Sequence, residues 1–481
     1  MSALPRILQH RAFILGSDFI ICYQKRKLSG LRPHHKVRSL GLPRIGHTPK
    51  RCSAEEAVVS VKSGDHIYLH HAASTPTDLI RALSERVLRE NLTGISLSHA
   101  LLFGDVPWVE ERFHDRMRSN CIFICPNLRP LVNKGKADYL PVFLSESARI
   151  YDEKALKVDV AFLNVSPPDK HGYCSLGVSV DMSSGAARNA ESIIATINKS
   201  QPRTFGDTAI HISQIDAIVE ENVSPIFEIH EAPISKEDAA IGKLIAENLV
   251  TDGATVQLGI GAIPDVVAKN LKNHKDLGVH TELVGSSIQE LIECNAVTNT
   301  QKTFHRGKVV ACFAMGTRNF YDFVNNNPLF LFGSAGYTNN VQNIARNSRM
   351  TAINCGIEVD ITGQVCSDSI GKTFYSGFGG QVDFIFGASI AGDGLGKSII
   401  ALPSITSKGE SRIVPYIKQG GGIVTTRAHV HYIVTEQGIA QLWGKNTRQR
   451  AFELISIAHP SHREDLEKAA FERIGCMPLR D

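Results

Sequence analysis

No CxxC pair, HExxH helix motif, GxSxG nucleophile elbow or complete GxGxxG fingerprint occurs in the 481 residues, so zinc scaffolds, serine hydrolases of the elbow type and dinucleotide-binding folds lose their usual signatures. The ten cysteines are scattered, and the closest pair, Cys121 and Cys125, has three residues between its members, a pattern of reduced thiols and not of a disulfide framework. No window supplies the roughly 18 unbroken apolar residues that a membrane span requires; the best early stretch, Phe13 to Cys22, is broken by Asp18. Acidic residues are nearly missing from the first 54 positions, which hold eleven Lys or Arg and Asp18 alone. Without that stretch the net charge of +4 becomes −6, so the body carries no general nucleic-acid signature.

What is present is an ordinary globular composition, 43% apolar and 21% charged, long enough for two large folding units and an appendage. The basic, Ser- and Leu-bearing segment 1–50 reads as a mitochondrial transit peptide cleaved between about residues 40 and 52, with a disordered basic arm as the alternative. Beyond it, β-branched runs alternate with amphipathic stretches, which predicts an α/β protein with mostly parallel sheets. Two segments share one order of elements. Ser53 to Lys62 reads as a capped helix, followed by Gly64, a strand through Ile67 and Leu69, a small-residue turn, Pro76 and a helix through Leu83. Ser235 to Val250, Gly253, a strand through Val256 and Leu258, the turn 259–262, Pro264 and a helix through Leu271 repeat it. The repetition predicts two related α/β domains, 51–229 and 230–481, joined near 223–233, with chance likeness of two βα units as the rival explanation.

Several segments could carry chemistry. Ala391 to Ser398 resembles a relaxed phosphate-binding loop, but the β-like run Ser398 to Leu402 and Pro403 follow where a helix is required, so it reads as a turn between two strands. The turn Gly259-Ile260-Gly261-Ala262 either lets backbone amides approach a ligand or merely packs a helix on a strand. Residues 278–284 read as one strand with His280 and Glu282 on one face, at the carboxyl end of a sheet where ligands bind; taken alone, Glu282 is catalytic or simply solvated. Ser376 to Phe384 puts three glycines before what reads as a buried strand, which fits oxyanion-stabilising amides or a β-bulge. No metal site is expected.

Taken in order, the motifs resemble the acetyl-CoA hydrolase/transferase family, near its 4-hydroxybutyrate and acetate (acetate:succinate type) CoA-transferases. The residues that carry the resemblance are Ser53-Ala54-Glu55-Glu56-Ala57, Ala73-Ser74-Thr75-Pro76, the run from Ser166 to Gly177, Gly259 to Pro264, His280-Thr281-Glu282, Gly379 to Phe384 and Val434 to Gly438. The resemblance covers all but the leader. It implies two related open α/β CoA-transferase domains with the active site at their interface, and it carries a catalytic glutamate onto Glu282. That carboxylate attacks an acyl-CoA thioester to give a mixed anhydride, and the released thiolate converts it to an enzyme-bound glutamyl-CoA thioester. Gly379 and Gly380 are the positional candidates for oxyanion amides. CoA contacts fall on Gly259, Ile260, Gly261, Ala262, Ile263, Ile357, Gly380, Ser407 and the adjacent Lys408, with Arg412 as a further phosphate partner.

Two departures stand out. Gly285-Ser286-Ser287 replaces the Ser-Asp-Gly that relatives often carry, and Ser407 stands where a lysine is expected. The resemblance further implies CoA and acyl-CoA as substrates with no tightly bound cofactor, short carboxylic acids as partners, and a homodimer; with the leader, it places the protein in the mitochondrial matrix. An acyl-CoA hydrolase and a CoA-binding protein without turnover are the alternatives.

Overall fold

A computed structural model describes residues 37–230, 233–259 and 261–480. Ser39–Asp481 form one compact unit, and the other unit, Met1–Arg38, falls almost wholly outside the described residues. The leader expected over 1–50 therefore lies outside them as far as residue 36. Its last part belongs to the folded body: the His211 N–H donates to the Leu40 carbonyl at 2.8 Å, and Lys50–Arg51 (β1) form a strand.

The first sheet is wholly parallel and has eight strands: β1, β2 (His66–Leu69), β3 (Ile95–His99), β4 (Met117–Cys121), β5 (Asp138–Tyr139), β6 (Val160–Val165), β7 (Ser192–Ile197) and β8 (Ala217–Val219). Their order is β1-β8-β7-β6-β2-β3-β4-β5. β6 is buried along its whole length, and its near-continuous apolar run is what a parallel sheet covered on both faces demands. The second sheet contains β9 (Thr255–Leu258), β10 (Gly278–Val279), β11 (Thr351–Cys355), β12 (Lys397–Ala401), β13 (Tyr432–Thr435) and β14 (Gly438–Gln441). Their order is β10-β9-β11-β12-β13-β14, parallel except for the final hairpin.

The repeated segments occupy equivalent places. β2 lies between β3, the next strand in the chain, and the later β6; β9 lies between β10, again the next, and the later β11. Helices follow both: α1 (Thr77–Arg89) after β2, and α4 (Ala262–Asn270) after β9; Leu144–Asp152 (α2) and Lys236–Asn248 (α3) come between them in the chain, and Ser286–Glu293 (α5) comes after them. The Ser53 side chain caps one turn, Ala54–Ala57, and Ser235 with Asp238 forms a full capping box on α3. Pro264 occupies the third position of α4 instead of the first, where its missing N–H is equally harmless. Three apolar clusters result. One lies wholly in the first half, one wholly in the second, and the largest draws on both, from Tyr68 and Leu163 to Val256 and Phe313.

Three expectations need correction. Residues 278–284 are not one strand: β10 ends at Val279, and Leu283–Val284 pair instead with Phe313–Ala314. Gln381–Ser389 form a helix (α6), not a buried strand. Its buried Asp383, Phe384, Gly387 and Ala388 recur at helical spacing, a period that a short apolar run does not reveal. The turn at 391–396 consequently joins a helix to β12 and not a strand to a strand. Among the described residues, no helix is long and apolar enough to cross a membrane, no cluster of metal-ligating side chains occurs, and all nine cysteines are free.

Candidate active site

Glu282 lies where the chain has left β10 and not yet entered its short ladder with residues 313–314. Its backbone is fixed there, since the Glu282 carbonyl accepts the Cys312 and Phe313 N–H groups at 3.0 and 3.1 Å. The side chain reaches the end of the one-turn helix Ala335–Thr338. Asn339 Nδ2 donates to Glu282 Oε2 at 3.0 Å, while the buried His280 ring meets the Thr338 carbonyl at 2.8 Å. Both side chains thus point the same way, as period two predicts, although the strand is interrupted between them.

The glycine loop closes the other side. A β-carbon on Gly380 would lie 1.9 Å from Glu282 Oε2 and 2.1 Å from Asn339 Nδ2, so no other residue fits without displacing the carboxylate. Gly379, with φ +54°, takes the left-handed conformation that favours glycine, and its carbonyl accepts the Leu144 N–H from α2 at 3.0 Å. One residue on, Ser145 donates its hydroxyl to Asp383 Oδ1 at 2.7 Å and its N–H to Oδ2 at 3.2 Å. Asp383, in the first turn of α6, also receives Asn339 Nδ2 at 3.4 Å. The first half thereby holds the loop and the amide that hold Glu282.

The electrostatics follow from this enclosure. Glu282 is half-buried as a residue, and its carboxylate is the enclosed part: desolvation pushes it up to about 8, against the opposing hydrogen bonds from Asn339 and the Gly380 backbone. The negative charges of Asp383 and Asp181 push in the same direction as burial. Asp383 is itself raised to about 6, by burial first, with the Ser145 and Asn339 hydrogen bonds opposing. Asp181 is buried and paired with His71 Nε2 at 2.7 Å, and its N–H donates to the Cys312 carbonyl at 3.3 Å, in the same peptide as the Phe313 N–H that fixes Glu282.

The residues expected to hold CoA share one edge. Gly259, Gly261, Ala262 and Ile263 follow β9; Ile357 follows β11; Ser407 and Lys408 follow β12; these three strands are adjacent and parallel, so all three loops leave the carboxyl edge of the second sheet. Gly259 N–H donates to the Ile353 carbonyl at 3.3 Å, Gly261 has φ +113°, and Ile263 is buried, which leaves backbone amides as the groups this turn can offer. Ile260 lies outside the described residues. Ser407 and Lys408 are exposed on a turn organised by Thr406, whose hydroxyl accepts the N–H groups of Lys408 and Glu410. Arg412 Nη1 reaches the Ile357 carbonyl at 3.4 Å and ties two of these loops together. At the departure from the Ser-Asp-Gly pattern, the Ser286 hydroxyl accepts the Thr317 N–H at 3.3 Å.

Models of the acetyl-CoA hydrolase/transferase N-terminal and C-terminal domains match residues 44–228 and 316–470. The chain belongs to this family. It is 49% identical over 437 residues, 91% of each chain, to a succinyl-CoA:acetate/propanoyl-CoA:succinate CoA transferase of Fasciola hepatica. It is 45% identical over 418 residues, 87% of this chain and 96% of the other, to the 4-hydroxybutyrate coenzyme A transferase of Clostridium kluyveri. The crystal structure of 4-hydroxybutyrate CoA-transferase from Porphyromonas gingivalis superimposes with a TM-score of 0.75 at 37% identity, covering 88% of this chain and 98% of that one. An acetyl-CoA hydrolase of Yarrowia lipolytica stands further off, 25% identical over 71% of this chain and 73% of the other.

Glu282, Gly379 and Gly380 are brought together as the sequence predicts. Asn339, Ser145 and the role of Asp383 were not anticipated; Asp383 lies inside a quoted motif, but nothing in the neighbourhood of Asn339 or Ser145 signals a site.

Proposed function

We propose that this protein moves CoA between a short-chain acyl-CoA and a free carboxylate through a glutamyl-CoA thioester on Glu282. It is an enzyme of the acyl-CoA:carboxylate CoA-transferase type. One observation carries the covalent route: an enclosed carboxylate, held by a side-chain amide and abutting the Gly379-Gly380 backbone, at the carboxyl edge of a parallel sheet.

Ionised Glu282 attacks the thioester carbonyl through one carboxylate oxygen, and the C–S bond breaks to release CoA thiolate and leave a mixed anhydride. The thiolate then attacks the glutamyl carbonyl, the bond from the glutamyl carbon to the bridging oxygen breaks, and the acid departs as its carboxylate carrying that oxygen. An incoming carboxylate runs the two steps backwards. Thioester energy is kept because each half-reaction exchanges one activated carboxyl for another. Each tetrahedral oxyanion needs donors already in place, for which we assign the Gly379-Gly380 backbone, with Asn339 orienting the carboxylate. Burial raises the basicity of Glu282 and strengthens it as a nucleophile. The same enclosure favours transfer over the hydrolase alternative, since a thioester formed there is shielded from water.

CoA arrives and leaves as a substrate, with its contacts assigned to the edge formed by residues 259–263, Ile357, Gly380 and 407–408. Acetate, propionate, succinate and 4-hydroxybutyrate are the proposed class of acids, after the names of the relatives. The basic leader supports import into the mitochondrial matrix, to be checked by sequencing the amino terminus of the mature protein; a homodimer is proposed from the resemblance alone.

Incubation with propionyl-CoA and no acceptor, followed by peptide mass spectrometry, tests the route. The expected product is a CoA adduct on the Glu282 peptide, sensitive to hydroxylamine and borohydride and absent from Glu282→Ala. Wild-type protein that exchanges CoA without such an adduct would rule the route out.

A further inference from the structure

Two adjacent histidines, His70 and His71, follow β2 at the carboxyl edge of the first sheet, and both clasp the segment 178–181. His70 Nε2–H donates to the Ser179 carbonyl at 2.6 Å and His70 Nδ1 accepts the Asn164 N–H at 3.1 Å, so that ring is neutral and used on both sides. His71 Nε2 lies 2.7 Å from Asp181 Oδ1. The other partners of this carboxylate are the Ser179 hydroxyl at 3.4 Å and the Met182 N–H. His70, His71 and Asp181 are all buried, and among the described residues His71 is the one basic side chain paired with Asp181. Besides Glu282, the titratable groups that feel Asp181 are Tyr68, Tyr151, His70 and Cys312. Burial holds each of them in its neutral form, lowering His70 to about 4 and raising the two phenols and the thiol.

The clasped segment joins the two halves. Ser179 forms an antiparallel bridge with Phe313, the Ala314 N–H donates to the Val178 carbonyl at 2.8 Å, and the N–H groups of Val180 and Asp181 share the Cys312 carbonyl at 3.0 and 3.3 Å. Cys312 and Phe313 are the residues whose own N–H groups fix the Glu282 carbonyl. The Asp181 carbonyl accepts the Ala335 N–H at 2.9 Å, and Ala335 opens the one-turn helix that ends at Asn339. Through its main chain Asp181 thus meets both the support of Glu282 and the support of the amide that holds it.

We propose that His71 and Asp181 are positioning residues for the exchange reaction: His71 anchors Asp181, and Asp181 fixes the Cys312–Phe313 stretch that carries Glu282 together with the helix that carries Asn339. This rests on the reading of Glu282 as the nucleophile and adds to it what holds the nucleophile in place. Without His71, a buried carboxylate loses its partner and must move toward water or take up a proton, and either change is passed to the peptides it touches. The charge of Asp181 acts as well, since with Asp383 it pushes the Glu282 carboxyl upward. Asp181 therefore contributes to the basicity of the nucleophile as well as to its place.

The test measures exchange between propionyl-CoA and acetate across pH for the wild type, Asp181→Asn, His71→Ala and His71→Gln, with circular dichroism as the check on folding. Asp181→Asn keeps the size of the side chain and removes its charge; the pH at which kcat/KM levels off is expected to move down, and the level reached to fall as the nucleophile becomes less basic. His71→Ala is expected to lower kcat at least about tenfold, and His71→Gln, whose amide can still donate to Asp181, to recover most of that loss. A merely structural pair would alter melting and leave the pH profile where it is. Should Asp181→Asn not fold, the two His71 variants carry the test, and should His71→Ala not fold, His71→Gln and Asp181→Asn carry it. A folded Asp181→Asn with the wild-type profile, or a His71→Gln as slow as His71→Ala, overturns the assignment of this pair alone. Exchange undiminished by Glu282→Ala overturns the reading of Glu282 and with it this one.

Discussion

Asn339 Nδ2 lies 3.0 Å from Glu282 Oε2 and 3.4 Å from Asp383 Oδ2, so one amide group is shared between two carboxylates that would otherwise repel. Its loss should be felt by both. Asn339→Ala removes a hydrogen bond that holds the Glu282 carboxyl down, and is expected to lower kcat about 10²-fold while shifting the pH at which the rate profile levels off to a higher value. Steady-state kinetics across pH check both effects at once.

The pH dependence of the wild type follows from Glu282 itself. Nucleophilic attack needs the ionised form, and burial pushes its carboxyl up to about 8. The value of kcat/KM for acyl-CoA should therefore rise about tenfold per pH unit below that point and level off above it. A profile already flat from pH 6 upward would show that the free enzyme holds an ordinary carboxylate.

Stability should move the opposite way. A carboxyl whose folded value is raised from 4.5 to about 8 binds its proton more tightly in the native state, so its burial costs nothing below 4.5 and destabilises increasingly as pH climbs to about 8. Glu282→Gln, which keeps the shape without the charge, is expected to be more stable than wild type at pH 8 by on the order of a few kcal/mol, and so to melt higher there, and to match it near pH 4.5. Thermal denaturation of the two proteins across that range measures the difference.

Gly380→Ala tests the close approach. The added carbon would fall 1.9 Å from Glu282 Oε2, so the carboxylate or the loop must shift. Exchange should fall by at least about 10²-fold with little change in far-ultraviolet circular dichroism.

The carboxyl edge of the second sheet makes a separate prediction. Lys408→Ala and Arg412→Ala are expected to raise KM for acyl-CoA about tenfold and to leave KM for the carboxylate unchanged. Equal effects on both substrates would remove these residues from the CoA contacts.

Much of this was legible from residues alone, because the βα units around β2 and β9 announce themselves through capping serines, turn glycines and strand patterns over short spans. The loops that follow β9, β11 and β12 could be assigned to one edge once the strands were parallel neighbours. The helix α6 was not legible: Val382 to Phe386 is apolar at nearly every position, and period two cannot be told from period 3.6 over so few residues. Nor was Asn339, which meets Glu282 across 57 residues of chain, or Ser145, which meets Asp383 across 238. Such partners are chosen by how two sheets dock, and no local pattern encodes docking.

The contacts of Leu144 with Gly379 and of Ser145 with Asp383 divide labour between the halves. The proposed nucleophile and the proposed CoA edge belong to the second; the brace behind the loop belongs to the first. Substitutions at 144 or 145 should therefore reach Glu282 indirectly, through Gly379 or through Asp383 and Asn339, so that one half of the chain governs exchange by a residue on the other without meeting either substrate.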